Sequence, residues 1–220
     1  ARVQSYLLQG IDALPCEVEV DADEFNTMEA RGTVVGLPDA AVKESLERVK
    51  TALVNSGYAY PRGRILINLA PADVRKEGPV YDLPIAVGLL LVQGIGVPRP
   101  GAKKTGAGLS GPSGAPGPSS SSGKASGTAS APEGVDPRRF IFAGELALDA
   151  RLRSVKGIIA LAAMAKARGY QGVIVPADNA AEAAVVEGLE VLGVRTLVEV
   201  VGLLTGQLEA QPLPPPDVSS

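Results

Sequence analysis

The feature that most constrains this chain is a stretch that can bury almost nothing. From Pro98 to Pro137 the sequence is dominated by Gly, Ser, Pro, Ala and a few Lys, as in Gly111-Pro112-Ser113-Gly114-Ala115-Pro116-Gly117-Pro118-Ser119-Ser120. Such a segment removes too little apolar surface from water to offset the entropy of ordering its backbone, so residues 98–137 are expected to form a disordered insertion. Whatever folds must be assembled from residues 1–97 and 138–208. Neither part has enough strand-forming segments for a stable sheet of its own, so the two are read as one domain with the insertion as a surface loop. Residues 209–220, with Pro212, Pro214, Pro215 and Pro216, are read as a linker tail.

Composition narrows the chemistry. The hydrophobic fraction is 45%, but aromatics make up 4% and Trp is absent, so the core must be aliphatic. The 220 residues contain no His, which removes His-based acid–base catalysis, Ser-His-Asp or Cys-His nucleophile activation, and most zinc sites. No metal site is expected in the chain. A net charge of −3 argues against coating nucleic acid through bulk charge, while leaving room for a local basic patch. The single Cys16 cannot form an internal disulfide, which fits a reducing, cytoplasmic setting. It is read as a small buried hydrophobe on a strand rather than a reactive thiol. The most apolar run, Ile85 to Val97, is short and broken by Gly88, Gln93, Gly94 and Gly96, so no membrane span is expected. The amino terminus lacks both an initiator Met and a signal-peptide pattern, as an excised piece would.

Strand and helix patterns alternate along both parts. Val3–Leu8, Glu17–Asp21, Thr33–Leu37 and Arg64–Leu69 read as strands. The helix Ala40–Ser56 sets Val42, Leu46, Val49 and Leu53 on one stripe and Lys43, Glu44, Glu47, Arg48 and Lys50 on the other, and Asn55-Ser56-Gly57 stops it. Asp82 is read as the cap of an apolar helix running to Gly94. After the insertion come a strand over Phe140–Leu146, a helix over Val155–Arg168 and a buried strand over Gly172–Val175. Asn179 is read as the cap of a helix to Glu187, followed by a strand over Leu189–Val194 and a helix over Thr196–Leu204.

No Gly-x-x-x-x-Gly-Lys-Ser/Thr segment occurs; Gly123-Lys124 is followed by Ala125 and preceded by no strand, so ATP hydrolysis by this chain is not expected. The loop from Asn68 to Pro84 packs charge beside backbone breakers. Its plain reading is a helix-capping loop with Arg75, Lys76 and Glu77 in solvent. The functional reading adds Arg62 and Arg64 to Arg75 and Lys76 as a basic patch for phosphates or an acidic partner. Glu145 and Asp149 share a strand face but stand too far apart to act as a carboxylate pair. Pro176-Ala177-Asp178-Asn179 is read as a turn and helix cap.

Several ordered segments together resemble one family. They are Gly36-Leu37-Pro38-Asp39 with Ala40-Ala41-Val42-Lys43-Glu44-Ser45, Asn68-Leu69-Ala70-Pro71-Ala72-Asp73 with Lys76-Glu77-Gly78 and Asp82-Leu83-Pro84, Gly144-Glu145-Leu146, and Val175-Pro176-Ala177-Asp178-Asn179 with Glu182-Ala183-Ala184. The chain is similar to the amino-terminal domain of the ComM/YifB family of magnesium-chelatase-like AAA+ ATPases, over almost everything outside the insertion and the tail. The resemblance implies an α/β (α+β) fold like the proteolytic domain of Lon, itself ribosomal-protein second-domain-like, a βαβ sandwich with helices on one side. Where Lon carries its nucleophile within Gly-Pro-Ser-Ala-Gly, this chain has Gly78-Pro79-Val80-Tyr81-Asp82, with Val80 at the serine position. The later helix reads Lys156-Gly157-Ile158-Ile159-Ala160-Leu161, apolar where Lon has lysines, so no Ser–Lys dyad is expected.

The resemblance further implies that ATP and Mg2+ are handled by a separate AAA+ motor domain of the parent protein. The parent is expected to be a homo-hexamer linked to DNA branch migration, recombination and natural transformation. This chain is then a non-catalytic accessory and assembly domain that helps guide DNA through Arg62, Arg64, Arg75 and Lys76. Two other readings stand beside it: a residual peptidase using Lys156 and Ser154, and a scaffold domain of a magnesium-chelatase-like complex.

Overall fold

In the computed structural model, residues 1–23, 31–96 and 134–215 are described. In chain order the elements are β1 Arg2–Gln9, β2 Asp12–Asp23, β3 Arg31–Val35, α1 Ala40–Asn55, β4 Arg64–Ala70 and α2 Asp82–Val92. Then come β5 Phe140–Phe142, β6 Glu145–Leu146, β7 Leu152–Arg153, α3 Ile158–Ala167, β8 Gly172–Pro176, α4 Ala177–Ala184, β9 Glu190–Val194 and α5 Leu197–Thr205. Of the expected insertion, residues 98–133 lie outside the described residues. Residues 134–137 are ordered against the domain: Val135 N donates to Leu203 O at 2.9 Å, and Pro137 is buried. The insertion therefore ends earlier than its composition implies.

Seven strands form one sheet in the order β3-β4-β2-β1-β5-β8-β9. Only β2 runs against its neighbours; β3–β4, β1–β5, β5–β8 and β8–β9 are parallel. The β1–β5 pairing, with Gln4 opposite Ile141, joins the two parts of the chain within one sheet. The fold is mixed α/β with a mostly parallel central sheet.

Side-chain alternation assigns the layers. One face carries Val3, Leu7, Cys16, Val18, Val20, Ile65, Ile67, Leu69, Phe140 and Phe142, and packs against α1, α2 and α5. The other carries Tyr6, Ile141, Val173, Val175 and Val191, and packs against α3 and α4. Helices thus cover both faces rather than the one side implied by the resemblance. The reason is legible in β5 and β8, whose Phe-Ile-Phe and Gly-Val-Ile-Val-Pro are buried at every position and so need cover on both sides. Beyond the reach of α3, the second face of β2, β4 and β3 stays polar and partly open, with Glu17, Glu19, Asp21, Asn68 and Thr33.

Helix α2 is apolar around most of its circumference because it lies between the sheet and α1. Gly88 lets it press onto β2: a Cβ there would stand 2.4 Å from Val20 Cγ2. Helix α1 buries Val42, Ser45, Val49, Ala52 and Leu53, close to the expected stripe.

Several boundaries differ from expectation, among them β2, which begins at Asp12 rather than Glu17, and α4, which ends at Ala184 rather than Glu187. The strand over Phe140–Leu146 stops at Phe142; Gly144 is buried beside Leu152 and Pro176, and Glu145-Leu146 turn away to pair with Leu152-Arg153 in a small hairpin. Helix α3 begins at Ile158 rather than Val155, because Gly157 is left-handed (φ 80°) and packs against Leu8. The tail does not leave the domain at residue 209: Ala210 packs against the core, and Leu213 N donates to Val191 O of β9 at 2.9 Å. Residues 216–220 lie outside the described residues.

Candidate functional site

The strand directions sort the family-motif residues. All strands of the large sheet except β2 point the same way, so the segments following β3, β4, β5 and β8 emerge on one rim. These segments contain Gly36, Pro38 and Asp39; Pro71, Asp73, Gly78 and Asp82; Gly144 and Glu145; and Pro176 and Asn179. The carboxyl rim of a parallel sheet is where open α/β folds place their sites. Asn68 stands apart: its amide donates to Glu19 Oε2 at 2.7 Å on the open sheet face.

On this rim the motif residues mainly hold one another. Gly36 has φ 98°, and a Cβ there would stand 2.1 Å from Leu69 O, so only glycine fits where the chain leaving β3 passes the end of β4. Asp39 caps α1 by accepting from Val42 N at 2.8 Å, while its other oxygen accepts from Gly78 N at 3.1 Å. The same loops pair through Asp39 N to Lys76 O, 3.0 Å, and Lys76 N to Leu37 O, 3.1 Å. Gly144 N donates to Val80 O at 3.1 Å, and Leu83 N donates to Gly144 O at 3.0 Å.

Asp82 is not the expected helix cap. It is the first residue of α2, fully buried, and it accepts from Arg48 Nε at 2.8 Å, from Arg48 Nη2 at 3.0 Å and from Leu146 N at 3.1 Å. Burial pushes its carboxyl above the usual range, and the Arg48 bonds hold it back. Arg48 also donates to Ser45 Oγ and Ala41 O. Sequence reasoning placed Arg48 on the solvated stripe. The available signal was its position three residues after Ser45, at the margin of the buried stripe, combined with an acid opening an apolar helix.

Asn179 is likewise not a cap. It sits inside the first turn of α4, 5% exposed, and its amide accepts from Val155 N at 2.9 Å and donates to Val155 O at 3.0 Å. A side-chain amide is replacing a missing strand partner for the segment entering α3. Tyr6 continues the network, its hydroxyl donating to Lys156 O.

The four basic candidates do not form a patch. Arg62 and Arg64 are exposed at the start of β4 and Arg75 lies past its end, a separation of roughly 20 Å at about 3.3 Å per residue. Arg75 is paired with Glu77 at 3.4 Å. Lys76, expected in solvent, is 0% exposed; its ammonium donates to Pro71 O, and burial lowers its pKa. It lies near Cys16 beneath the rim, and burial pushes the Cys16 thiol up to about 12. Arg64 projects on the face that carries Glu17, Glu19 and Asp21, which opposes phosphate there. Glu145 pairs with Arg153 at 3.3 Å and Asp149 with Arg151 at 2.7 Å, so these carboxylates serve local ion pairs. Ser154 and Lys156 are exposed, and Val80 packs against both cores. Among the described residues, no group of three acids or cysteines is placed to hold a metal ion, and no helix is long and apolar enough to cross a membrane.

Comparison with known proteins agrees with the motif set. The family described as subunit ChlI of Mg-chelatase matches residues 18–104 and 125–179. Competence protein ComM of Haemophilus influenzae is 36% identical over 178 residues, covering 80% of this chain and 27% of ComM. YifB of Escherichia coli, itself uncharacterized, is 51% identical over 85 residues, 37% of this chain and 15% of that protein. An uncharacterized protein of Mycobacterium tuberculosis is 34% identical over 206 residues, 93% of this chain and 33% of the relative. The chain thus spans a third or less of the length of the curated relatives it matches. By its matched residues and its motif-bearing rim, the chain belongs to the ComM/YifB family of magnesium-chelatase-like proteins.

Proposed function

We propose that this chain is the non-catalytic accessory domain of a ComM/YifB-type AAA+ ATPase, a mixed α/β domain that contributes contact surface while a separate motor domain binds ATP and Mg2+. The observation that carries the reading is the inward arrangement of the rim. Asp39, Lys76, Asp82 and Asn179, the polar groups best placed for chemistry, are each committed to backbone or side-chain partners within the joint. A group held in this way fixes loops; it does not activate a nucleophile or cradle a phosphate. The parent acts as a cytoplasmic homo-hexamer on DNA during branch migration and recombination, as in natural transformation. DNA contact falls to the exposed Arg62 and Arg75, with Lys76 withdrawn into the fold and Arg64 set on the acidic sheet face.

The test uses the full-length parent with and without this domain. Loss of the domain is expected to leave ATP turnover per subunit within about twofold, while hexamer formation and action on branched DNA fall by at least about tenfold. A motor that assembles and processes DNA equally well without the domain overturns the reading.

A further inference from the structure

The face built by α3 and the β1–β2 turn has no function in the reading above. An apolar groove of about 820 Å³ runs there, between the start of β2 and the outward side of α3. Its relief has two parts. Ile11, at the tip of the turn, is 91% exposed and stands out from the surface, with Leu8 and Ile159 beside it also exposed. Next to this ridge, Ala160, Ala163 and Ala167 line a shallow side of α3 where a neighbouring side chain can approach the helix closely. A soluble surface rarely leaves a large side chain as bare as Ile11 beside an apolar recess.

The direction of α3 fixes the charge at each end. Gly157, just before α3, packs on Leu8 near the end of β1, while Tyr170, just after it, donates its hydroxyl to Gln4 near the start of β1 at 3.2 Å. The helix therefore runs antiparallel to β1. Asp12, opposite Gln9 in the hairpin, lies by the amino end of α3, and Arg168 caps its carboxyl end. Both line the groove, and neither has an ion-pair partner among the described residues. Ten residues of helix place them on the order of 15 Å apart, too far to meet within one molecule.

A patch carrying a knob, a recess and opposite charges at its two ends is complementary to itself under a two-fold rotation. We propose that this groove is an isologous interface between two copies of the chain, with the α3 helices antiparallel. Ile11 of each copy fills the alanine recess of the other, and Asp12 of each meets Arg168 of the other. The contact pairs two copies and does not by itself propagate a ring, so its signature in this chain is a dimer.

Sedimentation equilibrium of the 220-residue chain over a concentration series tests it. The expected result is a reversible monomer–dimer equilibrium that Ile11→Asp weakens at least about tenfold, as for loss of a buried apolar anchor. Ile11 is exposed in the monomer, so this substitution leaves the fold intact. Asp12→Arg and Arg168→Asp are each expected to weaken the dimer, and the double exchange to restore it at high salt dependence. A chain that stays monomeric to millimolar concentration overturns the proposal, including the case in which the groove captures an added amphipathic peptide instead. So does a dimer unaffected by Ile11→Asp, or one that the double exchange fails to restore.

Discussion

Arg48 grips both carboxylate oxygens of Asp82, at 2.8 Å from Nε and 3.0 Å from Nη2, and thereby ties α1 to α2. The remaining acceptor capacity of Asp82 holds Leu146 N, so the same carboxylate anchors the β6–β7 hairpin. Asp82→Ala leaves Leu146 N without its acceptor and Arg48, 22% exposed and still 3.8 Å from Glu44, without its main partner. It is expected to cost about 2–3 kcal/mol in urea unfolding. The double variant Arg48→Met with Asp82→Leu is expected to be more stable than Asp82→Ala.

Gly36→Ala is expected to be among the most damaging single-methyl additions in the chain. The new Cβ would stand 2.1 Å from Leu69 O at a positive φ, against backbone that cannot yield as a flexible side chain would. A loss of more than about 2 kcal/mol follows from combined strain and clash. Gly57→Ala is the control: φ is 81° there as well, but nothing lies within 4 Å of the added carbon. Thermal unfolding of the two variants should separate clash from backbone strain.

Alkaline stability should begin to fall near pH 9. Burial raises the Cys16 thiol from 9.0 to about 12, so the folded state keeps a proton that the unfolded chain releases. Lys76, lowered by burial, acts in the opposite sense at its own site, but at Cys16 the folded state holds more protons across that window, and this contribution to stability is lost as pH rises through it. Tyr6 and Tyr81, also raised by burial, add the same sign from about 10 upward. In Cys16→Ala the decline should start about one pH unit later. Urea midpoints measured at about pH 8.0, 9.5 and 10.5 test this, because ordinary thiols and phenols titrate across that span.

Lys76→Met should leave the fold equally or more stable, because it replaces a desolvated ammonium by an apolar chain of similar length. In the full-length parent it should also leave DNA affinity unchanged. Arg62→Glu combined with Arg75→Glu should weaken DNA binding and flatten its salt dependence. Filter binding at two salt concentrations distinguishes these outcomes.

Much of the fold was legible in the residues. The stripe Val42, Val49, Leu53 placed α1, and Asn55-Ser56-Gly57 ended it where the structure does. Local patterns could not tell which charges go inside. Lys76 stands between the exposed Arg75 and Glu77, Arg48 lies among charged neighbours on α1, and Asp82 has the residue type of a cap; where each goes depends on loops brought together by strand direction. Asn179 has the residue type of a cap, but Val155, 24 positions earlier, is what it serves. The two-sided helix cover was written in the unbroken apolar runs of β5 and β8, whereas a family likeness pointed to one side.

The most direct test of the central claim is to incubate the purified chain with Mg-ATP and with unfolded casein. The account predicts phosphate release and peptide cleavage indistinguishable from a protein-free blank. Sustained turnover of either substrate, abolished by substituting a single residue of this chain, would contradict it.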